Sequence, residues 1–334
     1  MMDREQARRR LCGCYVTIPT LFRDGDLAVD LPAMRKHVDF VIDGGIRTGT
    51  GVLLVAGAAG DFSTMSFDER VAATEAVVEQ AAGKVPVVMG AMTTSTRELV
   101  QLAKAAERCG AEYIQVSPPF YFNHTEDDFY EYARAASGAA EVGIIVYNTY
   151  WTSTGVSASL AERLVELPNV VGLKWATPDI GFMEFEQVVA SFSDRLSIID
   201  NQLRFVTSHM LGARAIEVHI CNHWPEWGVQ LWEMLQDRRY EESQRQLMRV
   251  AMPFYRLWNE MEQYTSGDGY LDKLCMELVG LASSRCRPPT RDVRNEFRER
   301  ARRMLIDCGT PRVIQGESAP EPIKAGQAES LYSA

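Results

Sequence analysis

One lysine lies at the end of a strongly apolar stretch, where its side chain could carry covalent chemistry. The stretch Asn169-Val-Val-Gly-Leu-Lys-Trp-Ala-Thr177 runs through small and apolar residues to Lys174, and turn-forming residues follow it. An apolar run bounded by turn signals predicts a strand that is buried on both faces. Burial disfavours the ammonium form of lysine, and a neutral amine can attack a carbonyl carbon to form an imine. The alternative is a lysine whose charged end reaches solvent at the strand end.

Two further segments carry groups that could serve such an amine. Tyr147 ends the apolar run 143–147, and its hydroxyl could move protons to and from an imine. The segment Gly57-Ala58-Ala59-Gly60-Asp61 follows the run 52–56 and predicts a tight turn before a helix. Its backbone N–H groups could bind a carboxylate. The alternatives are an amphipathic tyrosine at a rim and an ordinary turn between a strand and a helix.

The segment 215–223 adds a carboxylate and two histidines. Glu217 and His219 share one face of a predicted strand, because side chains alternate along a strand. If that face is the interior of a barrel, Glu217 lies near Lys174 and could relay protons; the alternative is a salt bridge buried at the barrel floor. Glu217, His219 and His223 could also be metal ligands. We favour a site without metal or cofactor, because a metal enzyme has no use for a buried lysine strand.

The elements that must position these residues are eight short strands that alternate with helices. The predicted strands are the lysine strand and the segments 14–19, 52–56, 85–89, 113–117, 143–147, 196–200 and 215–220. This order is typical of a (β/α)8 TIM barrel. A doubly wound sheet is the competing architecture, but no G-x-G-x-x-G follows any predicted strand. We expect a leader over 1–12, the barrel over 13–235, additional C-terminal helices over 236–309 and a flexible tail over 310–334.

In such a barrel the active site lies at the carboxyl ends of the strands. The residues predicted at those ends are Thr17 to Thr20, Gly57 to Asp61, Ser117 to Tyr121, Tyr147, Asn148, Lys174, Asp200 and the segment 217–223. Lys174 is the only lysine among them. The convergence of Lys174, Tyr147 and the glycine-containing turn on one end of the barrel favours a functional interpretation of all three.

Composition excludes several classes of partner. The chain has 334 residues, 46% of them hydrophobic, and a net charge of −10. This acidity argues against nucleic acid or an anionic membrane as the main partner. No apolar run approaches the length of a membrane span. Seven irregularly spaced cysteines do not suggest a disulfide framework, so we expect a cytoplasmic protein.

Four motifs resemble those of the dihydrodipicolinate synthase / N-acetylneuraminate lyase family of Schiff-base aldolases. Gly172-Leu-Lys-Trp-Ala-Thr177 resembles its lysine motif, and Val146-Tyr-Asn148 resembles its Y-N motif. Pro118-Pro-Phe-Tyr-Phe122 resembles its tyrosine-bearing segment, and the opening from Gly13 to Phe22 resembles its amino-terminal motif. The order of the motifs matches over residues 11–300. The resemblance implies a (β/α)8 barrel with C-terminal helices.

The resemblance also implies roles for particular residues. Pyruvate, or a 2-oxo acid that releases it, would be bound as an imine on Lys174, and Tyr147 would be the acid/base. Tyr121 would reach the site of a neighbouring subunit in a homotetramer or homodimer. The partners would be small-molecule substrates, a 2-oxo acid and an aldehyde.

The sequence departs from the family at the expected substrate-binding residues. Ala58 and Ala59 stand where the family has hydroxyl side chains that hold the carboxylate of pyruvate and relay protons. No arginine for a second carboxylate occurs between Asn148 and Gly155, where Tyr150 and Trp151 suggest an apolar or aromatic aldehyde. The family turn after strand seven is replaced here by Asp200-Asn-Gln.

The leading hypothesis is therefore a class I lyase or aldolase that makes or breaks a C–C bond next to pyruvate. A 2-oxo-3-deoxy acid dehydratase and a dihydrodipicolinate synthase-like enzyme share the same imine. A metal-dependent class II aldolase and a non-catalytic 2-oxo acid binding protein are the remaining alternatives.

Overall fold

Eight parallel strands close into a barrel in chain order, as the alternation of strands and helices predicts. The structure is a computed structural model that describes residues 3–178 and 183–314. The strands, β1 to β8, are Gly13–Thr17, Gly51–Val55, Val87–Gly90, Tyr113–Val116, Gly143–Tyr147, Val170–Trp175, Ser197–Asp200 and Ala215–Glu217. The closed sheet confirms the TIM barrel and excludes the doubly wound alternative.

Helices precede the barrel and cover its outside. The first nine, α1 to α9, are Arg4–Arg10, Leu31–Asp43, Phe67–Ala81, Thr96–Cys109, Glu126–Ser137, Ala158–Leu164, Glu184–Phe192, Phe205–Met210 and Pro225–Gln236. Local signals explain several of their ends. Ser66 and Glu69 form the capping box at the start of α3, and Gly110 ends α4 in the left-handed conformation that glycine adopts easily. A helix is predicted from residue 179; residues 179–182 lie outside the described part, and α7 begins at Glu184.

The predicted leader contributes to the barrel. Asp3 caps α1, and the hydroxyl of Tyr113 donates a 2.8 Å hydrogen bond to the carbonyl of Ala7. Leu11 is completely buried, and a side chain on Gly172 would begin only 2.6 Å from Leu11 Cδ2. Leu11 therefore fills the amino-terminal end of the barrel, and Gly172 leaves room for it. The charged side chains of α1 also bind the barrel: Arg10 pairs with Glu112, and Arg4 donates to the carbonyl of Val165 over 2.7 Å. These partners are distant in sequence, so the charged segment by itself gave no sign of this role.

The interior of the barrel is a separate apolar cluster. It contains Leu11, Tyr15, Val52, Leu54, Val88, Tyr113, Ile145, Val171, Ile199 and Ala215. Because side chains alternate along a strand, the residues two positions after Ile145 and Ala215, Tyr147 and Glu217, also point inward. The pairing of β5 with β6 shifts by one residue after Ile144, and this shift sets Lys174 directly opposite Tyr147.

Four more helices follow the barrel, as predicted. They are α10 (Tyr240–Gln246), α11 (Met252–Met261), α12 (Tyr270–Leu278) and α13 (Arg294–Cys308), and the π-helical segment Leu247–Ala251 joins the first two. The start of α12 touches the carboxyl end of the barrel. Gly269 has a φ of +77°, and a side chain there would begin 2.4 Å from the carbonyl oxygen of Ala59.

The predicted tail lies mostly outside the described residues. Its described part reaches residue 314, and the N–H of Ile314 donates to the carbonyl of Leu278. Arg312 pairs with Glu226 of α9. Among residues 3–178 and 183–314, no helix is long and apolar enough to cross a membrane.

Candidate active site

Lys174 is buried at the carboxyl end of β6. Its side chain is 4% exposed, so the amine does not reach solvent. The amine nitrogen lies 4.4 Å from the ring centre of Tyr147 and 5.3 Å from that of Tyr15. The continuous apolar run before the lysine predicted this burial. The aromatic faces stabilise a cation, and the dry surroundings protect an imine from hydrolysis.

Glu217 is the direct partner of Lys174. One carboxylate oxygen, Oε2, forms an ion pair with the amine, and the other, Oε1, accepts a 2.8 Å hydrogen bond from the hydroxyl of Thr17. Burial by itself would raise the pKa of Glu217, but the charges of Lys174 and His219 hold it below its usual value. Glu217 is the last residue of β8, so this salt bridge lies at the mouth of the barrel rather than at its floor.

Tyr147 presents its ring to the amine and its hydroxyl to Asn201. The side-chain amide of Asn201 donates to this hydroxyl over 3.4 Å. Burial, strengthened by the negative charge of Glu217, raises the pKa of Tyr147 well above its ordinary value. The hydroxyl is therefore protonated at neutral pH and is a proton donor in the resting site.

The turn after β2 offers two backbone donors. The N–H groups of Gly60 and Asp61 bond to carbonyls inside the turn, at 3.1 and 3.0 Å. Within the described part of the chain, the N–H groups of Ala58 and Ala59 have no protein acceptor. The hydroxyl of Thr20 donates to the carbonyl of Gly60 over 2.6 Å and fixes the turn from β1. Carboxylate binding by this turn stays a prediction, and the geometry narrows it to Ala58 and Ala59.

The carboxylate of Asp61 faces away from this role. It accepts a 2.7 Å hydrogen bond from the amine of Lys273 in α12, and Lys273 also donates to the carbonyl of Arg285 over 3.2 Å. Both side chains are almost completely buried. Asp61 therefore fixes the turn to the C-terminal helices, which is a different use from the substrate contact that we expected.

The aromatic loop after β5 packs against Tyr147. Trp151 packs edge-on against Tyr147, with ring centres 5.8 Å apart, and against Tyr150 at 4.9 Å. Its side chain is about half exposed, at 51%. Tyr150 and Trp151 thus form an aromatic rim beside Tyr147.

Two predicted site residues lie apart from Lys174. Tyr121 is 87% exposed and has a φ of +87°, which is rare for a bulky residue. Asp200 follows the inward-facing Ile199 and so points outward; its oxygens accept from the N–H of Gln202 at 2.7 Å and from the hydroxyl of Ser208 at 2.6 Å. Burial raises the pKa of Asp200 to about 6. The geometry of Asp200 supports a role in starting α8 rather than in binding substrate.

The end of β8 differs from the prediction. The strand stops at Glu217, and a 3₁₀ turn over His219–Asn222 follows. His219 Nε2 nevertheless lies 3.7 Å from Glu217 Oε1, and Nδ1 lies 2.9 Å from Asp272 Oδ2. His223 stacks on Phe254 instead. Among the described residues, no group of three or more His, Cys, Asp and Glu side chains is arranged to hold a metal ion. The metal-ligand hypothesis for Glu217, His219 and His223 therefore finds no support in this arrangement.

The charged residues of α12 were not predicted as part of the site. Asp272 and Lys273 are completely buried and bind His219 and Asp61. Asp268, just before the helix, has a pKa that burial raises to about 6 and His219 partly lowers. A signal was present, because two adjacent charges lie between apolar residues of the helical run Tyr270–Leu278. Buried charges require partners.

Known proteins resemble the chain over most of its length. A family model described as the dihydrodipicolinate synthetase family matches residues 12–307. The 4-hydroxy-tetrahydrodipicolinate synthase of Rhodopseudomonas palustris is 38% identical over 170 residues, which cover 51% of this chain and 55% of that one. The synthase of Methanopyrus kandleri is 28% identical over 301 residues, covering 89% and 96%.

A solved structure extends the comparison to the fold. The dihydrodipicolinate synthase of Thermotoga maritima has a TM-score of 0.78 at 25% identity, covering 90% of this chain and 99% of that chain. The family match spans every strand of the barrel and the C-terminal helices. The chain is accordingly an enzyme of the lyase class and belongs to the dihydrodipicolinate synthetase family.

Proposed function

We propose that this enzyme forms or breaks a C–C bond next to pyruvate, or next to a 2-oxo acid that releases pyruvate, through an imine on Lys174. The observation that carries the proposal is the buried cluster in which Lys174 contacts a carboxylate and an aromatic hydroxyl-bearing ring. An amine, a proton acceptor and a proton donor within one dry site are the groups that imine chemistry requires.

The steps follow from the contacts. Glu217 takes a proton from the ammonium of Lys174, and the free amine adds to the ketone carbon while Tyr147 protonates the ketone oxygen. The nitrogen has then lost two protons, which Glu217 and Tyr147 deliver to the oxygen. The C–O bond breaks, and one water molecule leaves. Glu217 takes a proton from the methyl carbon to give a neutral enamine. The enamine attacks an aldehyde carbon, and the aldehyde oxygen takes up the proton that Glu217 holds. Hydrolysis of the new imine releases the product and restores Lys174.

Binding of the two substrates is assigned to separate groups. The free N–H groups of Ala58 and Ala59 would hold the carboxylate of pyruvate. Tyr150 and Trp151 would cover an apolar or aromatic aldehyde, since the loop 148–155 has no cation for a second carboxylate. Asp200 stays a weaker candidate for substrate binding, because both of its oxygens already have partners.

Other activities on the same imine are the second candidates. The curated relatives are named as 4-hydroxy-tetrahydrodipicolinate synthases, and a dehydratase of 2-oxo-3-deoxy acids would use the same lysine. We also propose a homotetramer or homodimer in which Tyr121 reaches a neighbouring site, supported by its exposure and unusual backbone. The cytoplasmic location stays a prediction from composition.

Borohydride trapping tests the proposal. Reduction in the presence of pyruvate should add one stable pyruvate-derived mass, and peptide mapping should assign it to Lys174. Lys273 is an internal control, because it is equally buried but is bound to Asp61. Lys174→Ala should abolish the adduct; an adduct that persists in this variant would contradict the proposal. Activity that chelation removes and zinc or magnesium restores would favour a metal-dependent aldolase, and trapping without turnover of any aldehyde would favour a binding protein.

A further inference from the structure

We propose that His219 and Asp272 are a positioning pair that returns Glu217 to its ionised form each time it has taken up a proton from Lys174 or from the substrate. The inference rests on the proposed imine chemistry. It assigns the C-terminal helices a part in that chemistry, because Asp272 belongs to α12.

The charge on the nitrogen of Lys174 changes during the proposed reaction. In the resting site Glu217 has the ammonium of Lys174 as its counter-ion. The nitrogen is neutral as the attacking amine and again as the enamine. At those stages Glu217 holds the proton that it has taken up, and a buried carboxyl group without a positive partner keeps its proton. A protonated Glu217 cannot accept the next proton from the substrate.

His219 lies between two carboxylates. Its two ring nitrogens face two different carboxylates, Nδ1 that of Asp272 at 2.9 Å and Nε2 that of Glu217 at 3.7 Å. A neutral imidazole can donate from one nitrogen only, whereas the imidazolium donates from both. The arrangement therefore suits a permanently charged histidine, which supplies Glu217 with a second positive charge that the reaction does not consume.

Burial and hydrogen bonds hold Asp272 in place. Its carboxylate is completely buried, and its second oxygen, Oδ1, accepts from the side-chain amide of Asn222 over 3.3 Å. Asn222 also donates to the carbonyl of Thr17 over 3.0 Å and contacts His37 at 3.0 Å. The pair is thus tied to β1 and α2, and its position relative to Glu217 is fixed by four parts of the chain.

Other ionisable groups face the same charges. Around His219 stand Tyr255 of α11, with ring centres 6.2 Å apart, Asp268 before α12, and the more distant His223. Burial by itself lowers the pKa of His219, but Asp272 and then Glu217 raise it to about 9. Burial lowers the pKa of His223 to about 3, so His223 is neutral and supplies no competing charge.

The other ionisable groups around Glu217 are two neutral tyrosines and Lys174. Burial raises the pKa of Tyr15 on β1 and of Tyr147 on β5 well above the ordinary value, so both are uncharged. Lys174 on β6 is the reacting group itself. His219 is therefore the positive partner of Glu217 that remains when Lys174 is neutral.

The pH dependence of imine formation tests the inference. The rate of borohydride-trappable imine formation with pyruvate should fall at low pH, where Glu217 becomes protonated. In His219→Gln and in Asp272→Asn this acid limb should move to higher pH by about 1–3 units, the usual effect of an opposite charge at this distance. The double variant should shift no further, because both changes remove the same charge. His223→Gln is the matched control and should leave the limb unchanged.

A measurement on the resting protein separates this inference from the proposed function. Nitrogen-15 NMR of the wild-type protein should find His219 as a cation up to a pH of about 9, and in Asp272→Asn its titration should move toward the ordinary histidine range. Titration of wild-type His219 near or below 6.5, the unperturbed value, would overturn the inference even if the variants fail to fold. An unshifted acid limb in variants that still form the adduct would overturn it as well, and would leave the assignment of Lys174 intact.

Discussion

Two alanines and one glutamate bear on the route that we propose for protons around the lysine. Ala58 and Ala59 carry no hydroxyl groups, while Glu217 contacts both Lys174 and Thr17. A carboxylate in direct contact with the amine can accept protons that hydroxyl groups would otherwise carry. We therefore propose that Glu217 is the base that serves Lys174 and Tyr147 in this enzyme.

Tyr147→Phe should slow turnover without abolishing the imine. The change removes the one hydroxyl that we assign as donor and keeps the ring beside Lys174, so turnover should fall about 10²–10⁴-fold while borohydride still traps pyruvate. Tyr15→Phe is the matched control, since Tyr15 is also near the amine but donates its hydroxyl hydrogen to Gln115 at 2.9 Å. Steady-state rates of both variants within a few-fold of wild type would remove Tyr147 from the mechanism.

Trp151→Ala should weaken the preference for aromatic aldehydes. The side chain is an exposed edge beside Tyr147, and loss of an aromatic contact typically costs a factor of roughly 2–10. We expect kcat/KM for benzaldehyde-like acceptors to fall by this factor, with little change for small aldehydes, and Trp151→Phe to retain most of the preference. A matched series of aldehydes with pyruvate measures this. Higher values of kcat/KM for charged or polyol aldehydes in the wild type would refute the apolar acceptor.

Helix α12 is the element that joins the C-terminal region to the barrel mouth. Its first residues touch the turn after β2 at Ala59, Lys273 binds Asp61, and Asp272 binds His219. A helix that contacts both the turn proposed to bind carboxylate and the histidine beside Glu217 can transmit a displacement to either of the proposed substrate sites. We therefore propose that α12 is part of the active site as well as a cover for the barrel.

A double-mutant cycle on Lys273 and Asp61 should reveal this connection. Lys273→Met leaves the carboxylate of Asp61 buried and unpaired, which typically costs 3–5 kcal/mol of unfolding free energy. The same change should raise KM for pyruvate, because the turn loses its ion pair with α12. Adding Asp61→Asn should recover part of the stability, and the exposed Lys84→Met is the surface control. Urea unfolding gives the four values, and strictly additive losses would mean that the pair is not coupled.

The strands were predictable because each is an uninterrupted apolar run, whereas their exact ends depend on distant residues. The run before Lys174 predicted a buried amine, and alternation predicted that Glu217 lies near it. The strand β8 stops at Glu217, three residues before the predicted end, because His219 turns toward Asp272 and Asn222 bonds to β1. Such partners are far away in sequence, so local periodicity carries no information about them.

The same dependence on distant residues explains why some contacts at the site were not predicted from the sequence. Asp272 and Lys273 owe their roles to contacts with residues 53 and 212 positions away. Asp61 was expected to bind substrate, because nothing near it in sequence shows that a lysine of α12 already occupies its carboxylate.

At the scale of the whole molecule, Tyr121 is the most exposed of the large hydrophobic side chains in the described part of the chain. Its side chain is exposed, and its positive φ is a strained conformation for a bulky residue. Strain of this kind persists where the surroundings or a function require it. A neighbouring copy that receives the tyrosine would give the conformation a purpose, in agreement with the proposed homo-oligomer.

Hybrid oligomers test that role directly. Tyr121→Phe and Lys174→Ala should each be nearly inactive, but co-refolded mixtures should regain activity. A hybrid dimer joins the intact Tyr121 of one copy to the intact Lys174 of the other, so about a quarter of all sites should work in an equal mixture. Single-variant refolding is the control. Activity in the mixture no higher than the average of the two variants would contradict a shared site, and sedimentation would report the number of copies.

The ion pair between the turn after β2 and helix α12 can form only late in protein synthesis. Asp61 and Lys273 are 212 residues apart, so at ordinary rates of translation the lysine is made roughly 10–40 s after its partner. During that interval the ribosome-bound chain can hold all eight strands while the mouth of the barrel lacks its closing helix. A pause in synthesis before α12 therefore leaves a barrel in which Asp61 lacks Lys273 and His219 lacks Asp272. Chaperones that shield nascent chains would meet this protein at its open mouth.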